Sequence, residues 1–309
     1  MRYFLIFTLT LAQTLSVAQT KQVCFTIDDL PVVSYGIHDT TVLRDVTNRI
    51  TGACHRHAIP AIGFVNEFKL YPSGTLSAFQ VSLLQRWLDQ GLELGNHTYS
   101  HPDFNTVSFS AYTQDIVNGE TVTRGLLQKR GATLRYFRHP FLHVGQTAAR
   151  ADSLARFIAT RGYIEAPVTI DNEDYLFAQA YKNAVTQKDA ALATRIGNDY
   201  VSYMEQKLLY YENMSQKLFN RNIAQILLIH ASLLNADYLD RLADMFKRHG
   251  YSFVSLEAAL KDNAYKTPVK VFGKWGISWM DRWALSQGKK GEFFKGEPET
   301  PQYIKDATE

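Results

Sequence analysis

Val23-Cys24-Phe25-Thr26-Ile27-Asp28-Asp29 is a short, β-rich run that ends on two adjacent carboxylates. About seventy residues further on stands Gly95-Asn96-His97-Thr98-Tyr99-Ser100-His101. The first run reads as a buried strand. Adjacent carboxylates at its end are costly unless a cation or another partner compensates them. Two histidines four apart can converge on one ion, and Asp29 with His97 and His101 makes a His2Asp set suited to zinc and other first-row divalent metals. Such a set keeps positions open for water, whose pKa the metal lowers, and Asp28 then stands beside that water as a base. Read alone, the aspartates also fit a helix cap or a solvated turn, and the histidines fit packing. Consecutive strand residues point to opposite faces, so both aspartates reach one site only if the chain turns there. Leu30-Pro31 gives a turn signal.

Outward from this strand, β-runs and helical periods alternate. Strands are expected at 23–27, 61–65, 92–94, 134–137, within 163–170, and at 226–229 and 251–254. Helices are expected at 40–57, 76–90, 110–129, 147–160 and 236–249, several of them stopped by Gly91, Gly131, Gly162 or Gly250. This order predicts an α/β fold with a parallel sheet covered by helices. The polar candidates follow the strands: Asp28, His97, Arg138, Asp171 and Asp174, then His230. In a β/α barrel, strand C-termini converge on one face and form the site. The stretch 176–218 breaks the rhythm and reads as two helices, the second long. It is expected to be a helical layer on the barrel; the alternative is a lid whose tyrosines face sugar rings. Trp275, Trp279 and Trp283 recur every four residues, with Ser278 and Asp281 marking a helix start, and are expected to pack rather than to bind. From Gly288 on, the charged, Gly- and Pro-containing end reads as a loosely docked tail.

Residues 1–18 read as an export signal: Arg2, an apolar 3–11 run too short to span a bilayer, and Ser16-Val17-Ala18 as a cleavage site before Gln19. Gln13, Thr14 and Ser16 argue against an uncleaved anchor, and no other segment approaches a membrane span. The mature chain is therefore expected in the periplasm, at the cell surface or in the medium. A net charge of +3 with no Lys/Arg block gives nucleic-acid binding no support. Cys24 and Cys54 are expected to be buried free thiols more often than a disulfide, and neither has a CxxC partner.

Five segments together resemble the polysaccharide deacetylases, the NodB-homology carbohydrate esterases. They are Thr26-Ile27-Asp28-Asp29, His97-Thr98-Tyr99-Ser100-His101, Arg138-His139-Pro140-Phe141, Asp171-Asn172-Glu173-Asp174-Tyr175 and Leu228-Ile229-His230, in the family's order. The resemblance implies a distorted (β/α) barrel over about 19–265, with a helical insertion at about 176–222 after the fourth motif and a C-terminal extension at 266–309. It implies Asp28 as general base, Asp29, His97 and His101 as metal ligands, and Arg138 as the group that holds Asp28. The Phe141 N–H would help stabilise the oxyanion, His230 would be the general acid and Asp174 would tune it. Tyr175 and Leu228 would line an acetyl pocket. The metal implied is zinc above all, with cobalt, manganese and nickel as alternatives. The substrate implied is an N-acetylated or O-acetylated glycan. Rival readings are an esterase or amidase acting on another acylated substrate, and a catalytically silent carbohydrate-binding protein. The chain departs from the family pattern at Ile27 and Leu30, where Phe and Gly are usual, and at Tyr175, where Trp is usual. These changes and the insertion bear on which substrate is accepted. His139 and His143 flank the third motif as lesser candidates for substrate contact.

Overall fold

The computed structural model describes residues 21–308, so the export signal read at 1–18 lies outside the described residues. The elements in chain order are β1 (Lys21–Leu30), α1 (Thr40–Arg56), β2 (Ile62–Val65), α2 (Ala78–Asp89), β3 (Glu93–Asn96), α3 (Phe109–Asn118), α4 (Thr121–Gln128) and β4 (Tyr136–Phe137). They continue with α5 (Ala148–Thr160), β5 (Ile164–Glu165), α6 (Asp174–Thr186), α7 (Ala190–Phe219), β6 (Gln225–His230), α8 (Leu233–Arg248), β7 (Tyr251–Phe253), α9 (Leu256–Ala259), α10 (Trp279–Ser286) and α11 (Gln302–Asp306). All pairings are parallel, in the order β5-β4-β3-β2-β1-β6, with β7 also on β1.

The sheet curls into a distorted barrel. Ala166 N–H still bonds Phe137 of β4 at 2.8 Å, while Thr169 N–H bonds Ile226 of β6 at 2.9 Å. Three residues reach at most about 11 Å, so the two edges of the sheet come close together, and Ile170 bridges to Leu227. Cys24, Ile62, Phe64, Tyr136 and Ile226 fill the inside, whereas Val23, Phe25 and Ile27 pack outward against the helices. β1 is buried on both faces, as a central parallel strand should be. The same alternation separates the thiols: Cys24 points inward and Cys54 belongs to the outer core, and both are free.

The expected helix 110–129 is two helices, because the chain breaks at Gly119-Glu120. A Cβ at Gly119 would stand 2.3 Å from the carbonyl carbon of Thr98 and 2.5 Å from Tyr99 N, so the break lets the backbone touch the histidine loop. The insertion is α6 and α7. Tyr200, Tyr203 and Tyr211 are buried in the core, which makes it a layer and not a lid with exposed tyrosines. Ser278 caps α10 as read, and Trp279 and Trp283 are buried, but Trp275 precedes the helix and is 43% exposed. The tail is not loose. Ile304 is buried, Tyr303 donates to Asp199 at 2.5 Å, and Gln179 and Asn183 of α6 donate to Thr308 and Ala307 carbonyls at 2.8 and 2.9 Å. An apolar residue and two capped carbonyls outweigh the polar composition that made the segment read as a tail.

Candidate active site

The strand C-termini meet at one cavity of about 630 Å³. Asp28 pairs in register with His230 across β1 and β6, which joins residues two hundred apart in sequence. The ladder between β1 and β2 shifts between Ile27 and Leu30, and Asp29 takes φ 68°. This bulge turns a second consecutive carboxylate toward the cavity, where plain alternation would send it away. Lys69, unsignalled in the sequence, holds the turn by donating to the Asp29 carbonyl at 2.8 Å, with its ammonium 3.7 Å from Asp29 Oδ2.

Asp28 is buried. Its Oδ2 accepts from Arg138 Nη1 at 3.2 Å and its Oδ1 has no hydrogen-bond partner. Burial raises its pKa to about 6 against the opposing pull of Arg138, so the carboxylate is a base poised near neutrality. Arg138 is fully buried and fixed on three sides: Nε donates to Ala166 O at 2.8 Å, Nη2 to Thr26 Oγ1 at 2.8 Å, and Nη1 to Asp28. Burial would raise the Asp29 pKa, but Lys69, His101 and His97 hold it well below the usual carboxylate range.

The histidine loop leaves β3 with Thr98 and His101 at φ 66° and 58°. Left-handed residues other than glycine cost about 1 kcal/mol or more and persist where their surroundings dictate them. Here Asn96 Oδ1 accepts Thr98 N–H at 2.7 Å, Asp115 accepts the Tyr99 and Ser100 N–H groups at 2.8 and 2.9 Å, and Asn66 donates to His97 O at 2.5 Å. Asp115, Asn96 and Asn66 were not singled out in the sequence; their only signal is polarity where burial was due. Gly119→Ala is expected to push the Thr98–Tyr99 peptide and cost about 1–3 kcal/mol. A thermal melt indistinguishable from wild type would show that the loop does not lean on Gly119.

His97 Nδ1 lies 2.9 Å from Arg138 O, which fixes the tautomer and leaves Nε2 with its lone pair. Nε2 of His97 and Nε2 of His101 each lie 3.7 Å from Asp29 Oδ1, a buried oxygen without a hydrogen-bond partner. Burial lowers both imidazole pKa values and keeps the rings neutral. One ligand atom from each of the three residues lies within 4.8 Å of the others. An orphaned carboxylate oxygen facing two neutral imidazole nitrogens is a donor set that fits a divalent cation.

On the far side, His230 Nδ1 meets Asp174 Oδ1 at 2.6 Å, and Asp174 Oδ2 accepts the His230 backbone N–H at 2.8 Å. Behind them, Asn235 donates to Asp174 Oδ2 at 2.9 Å and accepts from Tyr200 of the insertion at 2.7 Å. Burial works against the imidazolium, but the Asp174 carboxylate, together with Asp29 and Asp28, outweighs it and raises the His230 pKa to about 9.

Asp28, Asp29, His97, His101, Phe141, Tyr175, Leu228 and His230 line the cavity, while Arg138 and Asp174 stand behind it. Phe141 sits at φ 55° with its ring 4.5 Å from that of His101. Tyr35, missed in the sequence, also lines the cavity and donates to the Tyr175 carbonyl at 2.8 Å. His139 and His143 line it too, each engaged with an acid, Glu165 at 2.8 Å and Asp103 at 2.6 Å. Ile27 and Leu30 do not: both belong to the outer core, and Leu30 lies where a Cβ of Gly63 would be, 2.1 Å from its Cδ1. Their departure from the family pattern is a matter of packing. The assembled groups can take a proton on one side of a bound substrate and give one on the other.

Residues 16–157 match the family model of the polysaccharide deacetylases. An uncharacterized 30.6 kDa protein of Geobacillus stearothermophilus is 23% identical over 225 residues, which is 72% of this chain and 68% of that protein. Among solved structures, a mutant of a CE4 family pseudoenzyme of Bacillus anthracis, with restored enzymatic activity, aligns at TM-score 0.50 and 17% identity over 79% of this chain and 68% of that one. A further mutant of that pseudoenzyme aligns at TM-score 0.50 and 16% identity over the same shares. The likeness is one of fold: the curled parallel sheet with its helices is the NodB-type (β/α) barrel. The family match takes in the first three motifs; Asp174 and His230 lie beyond it, and the strand-end geometry brings them to the others.

Proposed function

We propose that this chain, which resembles the polysaccharide deacetylases in sequence and fold, is a metal-dependent hydrolase that removes acetyl groups from an N-acetylated carbohydrate. The observation that carries this reading is the facing pair at the strand ends, an unsolvated Asp28 oxygen on one side and an acid-paired His230 on the other, with the Asp29–His97–His101 set beside them. Zinc or another divalent cation held by Asp29, His97 and His101 would acidify water and polarise the substrate carbonyl. Asp28 Oδ1 is the proton acceptor, and Arg138 holds the other carboxylate oxygen so that Oδ1 keeps its aim. The Phe141 N–H is assigned to the oxyanion, which builds up as the carbonyl is attacked. Tyr175 and Leu228 flank the acetyl methyl.

His230 favours an amide over an ester. An amine leaves only when protonated, and an imidazolium with a pKa of about 9 carries that proton at neutral pH. Asp174→Asn removes the largest of the charges that raise this pKa, so the alkaline limb of kcat/KM should move down from about 9 toward the ordinary histidine value near 6.5. At pH 8 the protonated fraction falls by up to about thirtyfold, the limit for a full return to 6.5. An alkaline limb left in place by Asp174→Asn would remove His230 as the acid.

Residues 1–18 fit export toward extracellular glycans, and among the described residues no helix is long and apolar enough to cross a membrane. The test of the function is acetate release from chitin oligomers, peptidoglycan and acetylated xylan with several divalent metals. Release from ester substrates alone would favour the esterase reading. Glycan binding without release in metal-loaded protein would favour a silent binder.

A further inference from the structure

A second cavity, about 660 Å³, adjoins the catalytic one and shares Asp171, Asn172, Glu173 and Gly276 with it. Its other walls include Lys207 of α7 and Trp275, Asp281 and Glu297 of the C-terminal stretch. We propose that this cavity is a subsite for a second pyranose ring of the glycan, with Trp275 as its stacking platform, a role that rests on the deacetylase reading above.

A lone exposed tryptophan needs no explanation; the seat of this one does. A Cβ on Gly273 would come within 2.7 Å of Cη2 and Cζ2 of the Trp275 indole, so the ring lies against the backbone at Gly273 while 43% of the residue stays exposed. One side is thus seated and the other open. The backbone beneath is pinned: Trp275 O accepts from Arg282 Nη2 at 3.1 Å, and Lys274 O accepts from Asn105 Nδ2 at 3.1 Å. Arg282 Nη2 also donates to Leu142 O at 2.8 Å, and Gly276 lies so close to Phe141 that a Cβ would stand 1.9 Å from its carbonyl oxygen. The platform is therefore preorganised and fastened to the loop that carries Phe141.

The chemistry of the walls suits a sugar. The open indole face takes the apolar C–H face of a pyranose. Asp171, Glu173, Asp281 and Glu297 offer acceptors, and the one cation among these walls, Lys207, already pairs with Glu297 at 2.6 Å. A ring presenting hydroxyl, amide or ammonium donors is accommodated, and a uronic acid is repelled.

Calorimetry on the Asp28→Asn protein, in which turnover should be slowed about 10²–10⁴-fold, would compare one ring with four in three series: N-acetylglucosamine, its partly deacetylated oligomers and acetylated xylose oligomers. Wild-type Trp275 should give a preference for four rings over one in at least one series. Trp275→Ala should cut that preference about tenfold, Gly273→Ala should cut it by tilting the ring, and Trp275→Phe should keep most of it. Equal affinity for one ring and four in every series, or a preference that survives both alanine variants, overturns the subsite. A preference that depends on Trp275 without acetate release in active protein would instead overturn the deacetylase reading and leave the subsite standing.

Discussion

Asp28→Asn should lower acetate release by about 10²–10⁴-fold while metal content stays at the wild-type level. The substitution is nearly isosteric, and the amide oxygen can still accept from Arg138 Nη1, which lies 3.2 Å from Oδ2 in the native protein. What changes is the second oxygen. In the native protein Oδ1 is buried without a partner, in a carboxylate whose pKa burial lifts to about 6. An amide there accepts no proton at any working pH. The proposed metal set is Asp29, His97 and His101, whose ligand atoms lie within 4.8 Å of one another without Asp28. Activity close to wild type in Asp28→Asn would give the base role to another group. Loss of metal together with activity would mean that Asp28 is a ligand. Metal analysis of the purified variant beside the rate separates the three outcomes.

The frame of the molecule was legible because parallel α/β folds advertise themselves in alternating patterns. Buried strands such as Val23–Ile27 are continuous apolar runs, and Gly91, Gly131, Gly162 and Gly250 punctuate the helices. The chemistry-bearing side chains were legible for a second reason: topology sends every strand end to one face, so residues after strands are grouped before any distance is known. What stayed hidden depends on close approach. Nothing in Gly119 announces that Thr98 passes 2.3 Å from where its Cβ would be, and a helix was therefore read straight through it. Lys69, Asp115, Asn235 and Tyr35 hold the site through hydrogen bonds from elements that carry no motif. The aspartate pair was the intermediate case. A turn at Leu30-Pro31 was foreseen, while the device is a bulge one residue earlier, with Asp29 itself in the left-handed region.

The departures from the family pattern also resolve by position. Leu30 sits where a glycine is usual, and Gly63 on the neighbouring strand leaves room for its side chain, which stays in the outer core and does not reach the cavity. Tyr175 does face the cavity, 6.3 Å ring to ring from His230, with its carbonyl held by Tyr35. On the proposed function, substrate choice is therefore expected to turn on Tyr175 and on the Trp275 side of the cleft, because Ile27 and Leu30 do not line the cavity.

His97→Ala should abolish both metal binding and turnover. His97 is buried, its Nδ1 is engaged with Arg138 O at 2.9 Å, and its Nε2 lies 3.7 Å from Asp29 Oδ1 and 3.8 Å from Asp28 Oδ2. No other imidazole among the described residues completes that set. Mutating a residue that only orients a ligand costs about 10–100-fold in metal affinity, so deleting a ligand should cost at least the upper end of that range. Removing the ring also leaves a cavity, and loss of activity alone would not distinguish a missing ion from a loosened fold. Metal linkage does. A cation that binds the folded state at a hundred times its Kd raises stability by about 2.7 kcal/mol, so zinc should raise the melting temperature of the wild-type protein and leave that of His97→Ala where it was. A variant that melts lower than wild type yet gains as much from zinc would place the ion elsewhere. One that neither melts lower nor loses the zinc shift would show that His97 is not a ligand.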